Sequence, residues 1–311
     1  MIKEDKELAV KIKELKKKRD AIILAHNYQL PEVQDIADFR GDSLELSRMA
    51  AKTDAKVIVF CGVYFMAETA SILSPDKLVI MPDVSAGCPM ANMMSADDLR
   101  KLKAQHPKAV TVGYVNTSAE VKAELDYCCT SSNAIAVVNA IMKDSAVGAE
   151  KEIIFVPDKY LADYVSKNTG RKLISWHGFC PTHVKILPED LKREKKFHPQ
   201  AKVMVHPECL PSVVAMADVV LSTSQMAKFA KENPAKEFIV GTEAGLVYRL
   251  KEDNPNKEFY LASERAVCPN MKRTTQEKIL WALEELKEEV RVPQDIREKA
   301  LVAIERMLKI I

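Results

Sequence analysis

The sequence predicts an α/β protein made of three related units, each a small parallel sheet wrapped by helices in a three-layer αβα arrangement. Three observations predict it. Short apolar runs alternate with stretches of helical period, which is the pattern of buried strands joined by crossover helices. An aspartate-centred pattern recurs at intervals of 88 and 92 residues, and three Cys-Pro pairs recur at intervals of 92 and 88. Self-similarity at a fixed period marks repeated structural units.

The expected strands, in order, are Ala21–Ala25, Val57–Phe60, Leu78–Met81, Val110–Val115, Ile153–Val156, Leu173–Ser175, Val203–Val205, Phe238–Val240 and Phe259–Leu261. Helical stretches such as Leu44–Lys52 and Leu161–Lys167 lie between them. The repeat is anchored on Asp38, Asp126 and Asp218, each opening a short apolar or mixed run. Five residues after each comes a hydroxyl side chain, Ser43, Ser131 or Thr223. Twelve residues before each comes a ring that closes a strand, His26, Tyr114 or His206, and ten before come Tyr28, Asn116 and Glu208. Cys88-Pro89, Cys180-Pro181 and Cys268-Pro269 each follow a strand. Helix starts then follow, read as Ser95-x-x-Asp98, Pro188 and Thr274-x-x-Glu277. The units so defined are 20–105 with Cys88, 106–198 with Cys180 and 199–275 with Cys268. An N-terminal helix (1–19) and C-terminal helices (276–311) flank them.

The 311 residues are 47% hydrophobic, with 46 basic and 44 acidic side chains interspersed, so no basic stripe exists for nucleic acid. The stretch up to Arg19 is charged and amphipathic, without the apolar core of a signal peptide. No segment approaches the roughly 18 consecutive apolar residues of a membrane span. A cytoplasmic location is therefore expected, and in that reducing setting seven cysteines, an odd number, do not form a disulfide set. The charged runs Lys16–Arg19 and Lys192–Lys196 read as solvated helix faces, and Met93-Met94 as packing.

Ligands in open α/β sheets bind beyond the carboxyl ends of the strands, and every residue of the repeat lies there. If three such units meet around a pseudo-threefold axis, their strand ends share one cavity. Three thiolates converging from separate units suit a soft metal centre. Zinc favours four closed ligands and close Cys-x-x-Cys pairs, which are absent. An iron–sulfur cube held by three cysteines leaves one iron open, able to act as a Lewis acid on an oxygen in a dehydration. Ser43, Ser131 and Thr223 stand at N-cap positions, where three helix N-termini aimed at one cavity would hold carboxylates or a phosphate. Glu208 is the carboxylate at the strand tips and the expected general base, provided its surroundings raise its pKa toward neutrality. Tyr28 is placed to move a proton near a departing hydroxyl. Cys61, Cys128 and Cys129 read as core thiols, and Cys209 as the one conceivable fourth ligand.

Several longer motifs carry a resemblance. Ala25-His26-Asn27-Tyr28-Gln29 with Asp35-Ile36-Ala37-Asp38-x-x-Gly41-Asp42-Ser43 resembles the opening motif of quinolinate synthases. Tyr114-Val115-Asn116-x-Ser118-Ala119-Glu120, Cys129-Thr130-Ser131-x-Asn133-Ala134, His206-Pro207-Glu208-Cys209, Ser222-Thr223-x-Gln225-Met226 and Gly241-Thr242-Glu243 are similar to later ones. The resemblance runs from about residue 20 to 275. It implies three pseudo-symmetric α/β domains around a central active site. It also implies a [4Fe–4S] cluster with three cysteine ligands and one open iron, the ligands being Cys88, Cys180 and Cys268. The implied reaction joins iminoaspartate to dihydroxyacetone phosphate, giving quinolinate, phosphate and two waters on the route to NAD. L-aspartate oxidase or aspartate dehydrogenase would supply the iminoaspartate. His26, Ser43, Tyr114, Asn116, Ser131, His206 and Thr223 would hold substrate, Tyr28 and Glu208 would handle protons, and His183 would lie near the cluster. The Cys-x-x-Cys-x-x-Cys run of some bacterial members is missing at Cys268, so redox regulation through it is not expected. An iron–sulfur hydro-lyase, and a ligand-binding module or redox carrier, are the alternative readings.

Overall fold

A computed structural model describes residues 3–144 and 151–310 of the chain. The first two residues and the last residue of the expected flanking segments lie outside the described residues. So do residues 145–150 of the second unit.

Among the described residues twelve strands form three four-stranded sheets. The first holds β1 (Ala21–His26), β2 (Phe39–Gly41), β3 (Val57–Cys61) and β4 (Leu78–Ile80). The second holds β5 (Val110–Tyr114), β6 (Tyr127–Cys129), β7 (Ile153–Val156) and β8 (Ile174–Ser175). The third holds β9 (Lys202–Val205), β10 (Val219–Val220), β11 (Glu237–Gly241) and β12 (Glu258–Leu261). Each sheet has the same order, second strand, first, third, fourth, and every pairing is parallel. The central strands β3, β5 and β7 are buried along their whole length, as parallel strands covered by helices on both faces must be.

The nine expected strands are present, with ends shifted by a residue or two. The three short edge strands β2, β6 and β10 are additional. Each is two or three residues long, too short for an apolar run to announce it. Their placement depends on the repeated aspartate. The Asp38 carboxylate accepts the Ile23 amide at 2.8 Å, and the Asp38 amide donates back to the Ile23 carbonyl at 2.9 Å. Asp126 does the same with Thr111, at 2.8 and 3.2 Å, and Asp218 with Val203, at 2.8 and 3.0 Å. A side-chain bond that extends the ladder by one rung compensates for the small number of rungs an edge strand this short can make.

The Cys-Pro segments are equally regular. A single 3-10 turn follows each, Ala91–Met93, His183–Lys185 and Asn270–Lys272. A helix then opens eight residues after each cysteine: Ala96–Gln105, Pro188–Phe197 and Gln276–Glu285. Ser95 and Asp98 form the expected capping box. The expected Thr274 cap is corrected to Thr275, whose hydroxyl accepts the Lys278 amide, while the Thr274 hydroxyl is buried without a hydrogen-bond partner. Adjacent threonines both fit the sequence pattern, and the eight-residue spacing selects the second.

Each of these helices packs on the sheet that follows in the cycle. Leu99 of Ala96–Gln105 is fully buried, and Lys103 donates to the Glu124 carbonyl at 2.7 Å beside the second sheet. Leu191 of Pro188–Phe197 packs into the core of the third sheet with Val203, Val205 and Ile239. Ile279, Leu280 and Leu283 of Gln276–Glu285 join the first core with Ile23, Val57, Val59 and Ile80. The N-terminal helix Lys3–Lys18 covers that core through Ile12, and Arg19 donates to the carbonyls of Leu283 and Glu284 at 3.1 and 2.8 Å. The C-terminal helix Gln294–Lys309 returns to the second sheet, where Arg306 donates to the Asp126 carbonyl at 2.9 Å. Two compact units result, Met1–Cys88 with Cys268–Gln294, and Pro89–Val267 with Asp295–Ile311. No helix among the described residues is long and apolar enough to cross a membrane.

Candidate active site at the strand tips

The larger unit gathers a polar cluster at the carboxyl ends of β5 and β9. Tyr114 closes β5, and its hydroxyl donates to Glu208 Oε1 at 2.5 Å. Glu208 Oε2 lies 2.9 Å from His183 Nδ1. That nitrogen is also 3.1 Å from the Cys180 sulfur, and His183 Nε2 is 2.9 Å from the Thr242 hydroxyl. His206 Nδ1 accepts the Glu208 amide at 3.3 Å, so in the neutral ring the proton sits on Nε2, which donates to the Ser131 hydroxyl at 3.2 Å. The rings of His183 and His206 stack at 4.6 Å. Tyr114, His183, His206 and Glu208 are each no more than 4% exposed, so their charges act with little screening by water.

Burial alone would raise the Glu208 carboxyl. The imidazoles of His183 and His206 and the hydrogen bonds from His183 and Tyr114 outweigh it and hold the group well below the usual carboxylate range. The expectation of a pKa raised toward neutrality is corrected accordingly, because three partners favour the charged form. The group pushed upward is Asp158, raised first by burial and then by the Glu208 charge. Asp158 Oδ1 accepts the Tyr160 and Leu161 amides at 2.8 and 2.9 Å, and its Oδ2 is buried with no partner. Nothing in the sequence singles Asp158 out. Thr242 was legible only as part of Gly241-Thr242-Glu243, without a role.

The loop bearing Cys180 lies directly on the tip of β7. The Lys159 amide donates to the Gly178 carbonyl at 2.9 Å, and a Cβ at Gly178 would stand 2.5 Å from the Pro157 carbonyl oxygen. Only glycine permits that approach. Ligand atoms of Cys180, His183 and Glu208 lie within 4.8 Å of one another, close enough to hold one metal ion.

The smaller unit repeats the arrangement with different chemistry. His26 Nδ1 accepts the Tyr28 amide at 3.2 Å, as His206 accepts that of Glu208. The two rings meet edge to face at 4.5 Å, and the Tyr28 carbonyl accepts the Lys272 ammonium at 2.5 Å. Cys88 and Cys268 belong to this unit.

The hydroxyl residues are not N-caps. Asp42 caps the helix Ser43–Lys52, accepting the Leu44 and Glu45 amides at 3.0 and 3.1 Å, and Ser222 caps Thr223–Glu232. Ser43 and Thr223 are the first helical residues, and Ser131 precedes Asn133 at the start of Ala134–Lys143. A capping side chain sits immediately before Ser43 and Thr223, so capping there falls to the neighbour, whereas the helix after Ser131 has Asn133 at its N-cap and no side-chain cap bond. In the larger unit Gln225 donates to the Ser132 carbonyl at 3.2 Å, which brings the Ser131 and Thr223 helix starts together. Asn116 Oδ1 is buried without a partner.

The seven free thiols sort by exposure. Cys61, Cys128, Cys129 and Cys209 are buried, whereas Cys88, Cys180 and Cys268 are partly exposed. Burial pushes Cys128 up to about 12 and raises Cys61, Cys129 and Cys209 as well. Cys209 instead donates weakly to the Gly241 carbonyl at 3.4 Å.

Repeated parallel sheets, with a carboxylate, two imidazoles, a phenol and a thiol gathered beyond strand ends of the larger unit, define an α/β protein with a buried polar site at its strand tips. Residues 10–309 match the family model described as quinolinate synthetase A protein. The chain is 58% identical over 242 residues to a quinolinate synthase of Dehalococcoides mccartyi, 78% of each chain. It is 58% identical over 239 residues to one of Thermodesulfovibrio yellowstonii, covering 76% of this chain and 77% of that one. A quinolinate synthase of Methanosarcina barkeri is 56% identical over 244 residues, 78% of each. The chain belongs to the quinolinate synthetase A family.

Proposed function

We propose that the protein is a quinolinate synthase of NAD biosynthesis, joining iminoaspartate to dihydroxyacetone phosphate with release of phosphate and two waters. The sorting of the thiols, in a chain of this family, is the observation that carries the reading. Three sulfurs that recur with the repeat are the three that solvent or a ligand can reach, and the remaining four are sealed in cores. Such a donor set fits a [4Fe–4S] cluster held by Cys88, Cys180 and Cys268 with one iron open. When bound, the open iron supplies Lewis-acid assistance to loss of a hydroxyl. The unit boundaries 20–105, 106–198 and 199–275, and a cytoplasmic setting in which thiols stay reduced, belong to the same reading.

The chain's own residues do the rest. Ser43, Ser131 and Thr223, near the starts of ten-residue helices, bind the carboxylates and phosphate of the two substrates with His26, Asn116 and His206. Holding both molecules in one geometry supplies much of the acceleration. Glu208 takes carbon-bound protons. Its low pKa in the free enzyme keeps it ionised, and its basicity rises when Tyr114 and His183 turn their hydrogen bonds to substrate oxygens. Tyr28 gives or receives the proton of a departing hydroxyl. L-aspartate oxidase or aspartate dehydrogenase is the source of iminoaspartate.

The test is an anaerobic assay of iron, sulfide, quinolinate and phosphate on one sample. About four irons per chain and stoichiometric phosphate are expected. Replacement of Cys88, Cys180 or Cys268 by Ala should abolish both the cluster and the product, whereas replacement of Cys61, Cys128, Cys129 or Cys209 should not remove the iron. Dehydration of a hydroxy acid without phosphate release would instead make the protein a hydro-lyase.

A further inference from the structure

We propose that Gln34 and Lys122 are positioning residues, buried donors that hold the strand-tip turns carrying Tyr28 and Asn116. The two occupy the same place in the first and second repeats, 88 residues apart, as do Tyr28 and Asn116. Gln34 lies in the short helix Pro31–Ile36 and is 1% exposed; Lys122 ends the short helix Ala119–Lys122 and is fully buried. Gln34 Nε2 donates to the Gln29 carbonyl at 2.9 Å and to the Asn27 carbonyl at 3.3 Å. Lys122 Nζ donates to the Thr117 carbonyl. Gln29 and Thr117 are again equivalent, so each donor grips the carbonyl immediately after the residue presented to substrate.

The third repeat shows that the fold itself does not demand this. Val214 stands at the corresponding position, 92 residues after Lys122. Its amide donates to the Leu210 carbonyl at 3.0 Å, just as the Gln34 amide does to Leu30 and the Lys122 amide to Ser118. The short helix is thus seated alike in all three repeats, with an apolar side chain in one. A lysine is almost never fully buried without a partner, and removing its charge from water is expensive. A polar group retained where valine serves has a task other than packing. The difference lies in what the turns present. Glu208 is fixed through its own side chain by Tyr114 and His183. Asn116 has a buried oxygen without a partner, ready for a ligand, so its aim depends on the backbone beneath it.

The inference rests on the proposed function only in taking Tyr28 and Asn116 to face substrate, and two readouts separate the two ideas. The first is independent of activity: amide hydrogen exchange in the turns 27–29 and 115–117 of the full chain. Gln34→Leu should speed exchange in the first turn and Lys122→Leu in the second, each leaving the other turn unchanged. The second is steady-state kinetics of quinolinate formation with iron content measured on the same samples. Both Leu variants should retain iron and lose about 10-fold or more in kcat/KM, since a misplacement of 1 Å can cost 100-fold. Lys122→Gln, which copies the first repeat, should restore exchange protection and most of kcat/KM. If Lys122→Leu does not fold, Gln34→Leu and Lys122→Gln decide the matter alone. Unchanged turn exchange in the Gln34→Leu protein, or a Lys122→Gln protein with an unprotected second turn, overturns the proposal. Absence of quinolinate from the parent protein overturns the function while leaving the exchange result to stand.

Discussion

Glu208 sits between a phenol and an imidazole, and its behaviour follows from those two donors. Glu208→Gln preserves size and can still accept from Tyr114, but it removes the charge that His183, His206 and Tyr114 stabilise. Turnover should fall by about 100-fold or more, within the range a positioned base contributes, while iron content and product binding persist. Steady-state kinetics beside an iron assay checks this, and near-normal turnover would take Glu208 out of the mechanism. The sequence indicated the residue but not its ionisation. Its position at a strand tip was visible from the repeat, whereas the direction of its pKa depends on His183 and Tyr114, which are 25 and 94 positions away in the chain. Thr242, which holds the far nitrogen of His183, was hidden for the same reason.

At the level of elements, local chemistry was readable to within one position. The sequence points to caps at Ser43, Ser131, Thr223 and Thr274; neighbouring Asp42, Ser222 and Thr275 perform the task for three, and the helix after Ser131 has no side-chain cap. Propensity cannot choose between adjacent residues that are both good caps. Longer ties were invisible, and Asp83 is one of them. After β4 its carboxylate accepts Lys278 of Gln276–Glu285 at 2.6 Å, Arg273 at 3.4 Å and the Ser85 amide at 3.0 Å. Burial raises this group, but the bonds from Lys278 and Ser85 prevail and lower it to about 2. A depressed carboxylate stabilises the fold above its unfolded pKa of about 3.9, and the contribution disappears as pH falls toward 2. Asp83→Asn should therefore cost about 1 kcal/mol at pH 6 and progressively less between pH 4 and 2. Urea unfolding of both proteins across that range measures the gap, and a gap independent of pH would refute the assignment.

For the whole molecule, the three-sheet architecture was legible because spacing survives divergence of side chains. Asp38, Asp126 and Asp218 keep their distance, since each must reach the same rung of the neighbouring strand. Equivalence, however, does not say which sheet a helix covers. The helix that follows each cysteine belongs to the next core in the cycle, so the first core is completed by Gln276–Glu285. A protein with Ile279, Leu280 and Leu283 replaced by Ala should therefore lose these contacts in the first core. Its smaller unit should unfold or bind an apolar dye, while the larger unit keeps its protected amides. Retention of a cooperative transition for the first sheet would contradict this.

That last helix also sets a timetable for biosynthesis. As the polypeptide leaves the ribosome, β1 to β4 emerge first, yet the side chains that close over Ile23, Val57 and Ile80 emerge nearly 200 residues later. Of the three sheets, the first one made waits longest for its seal. Throughout that delay the part of its apolar face that the N-terminal helix does not cover stays open to water, to chaperones and to other nascent chains. Synonymous changes that slow translation after Cys268 should lengthen the exposure and lower the yield of folded protein, whereas the same changes after β4 should matter little.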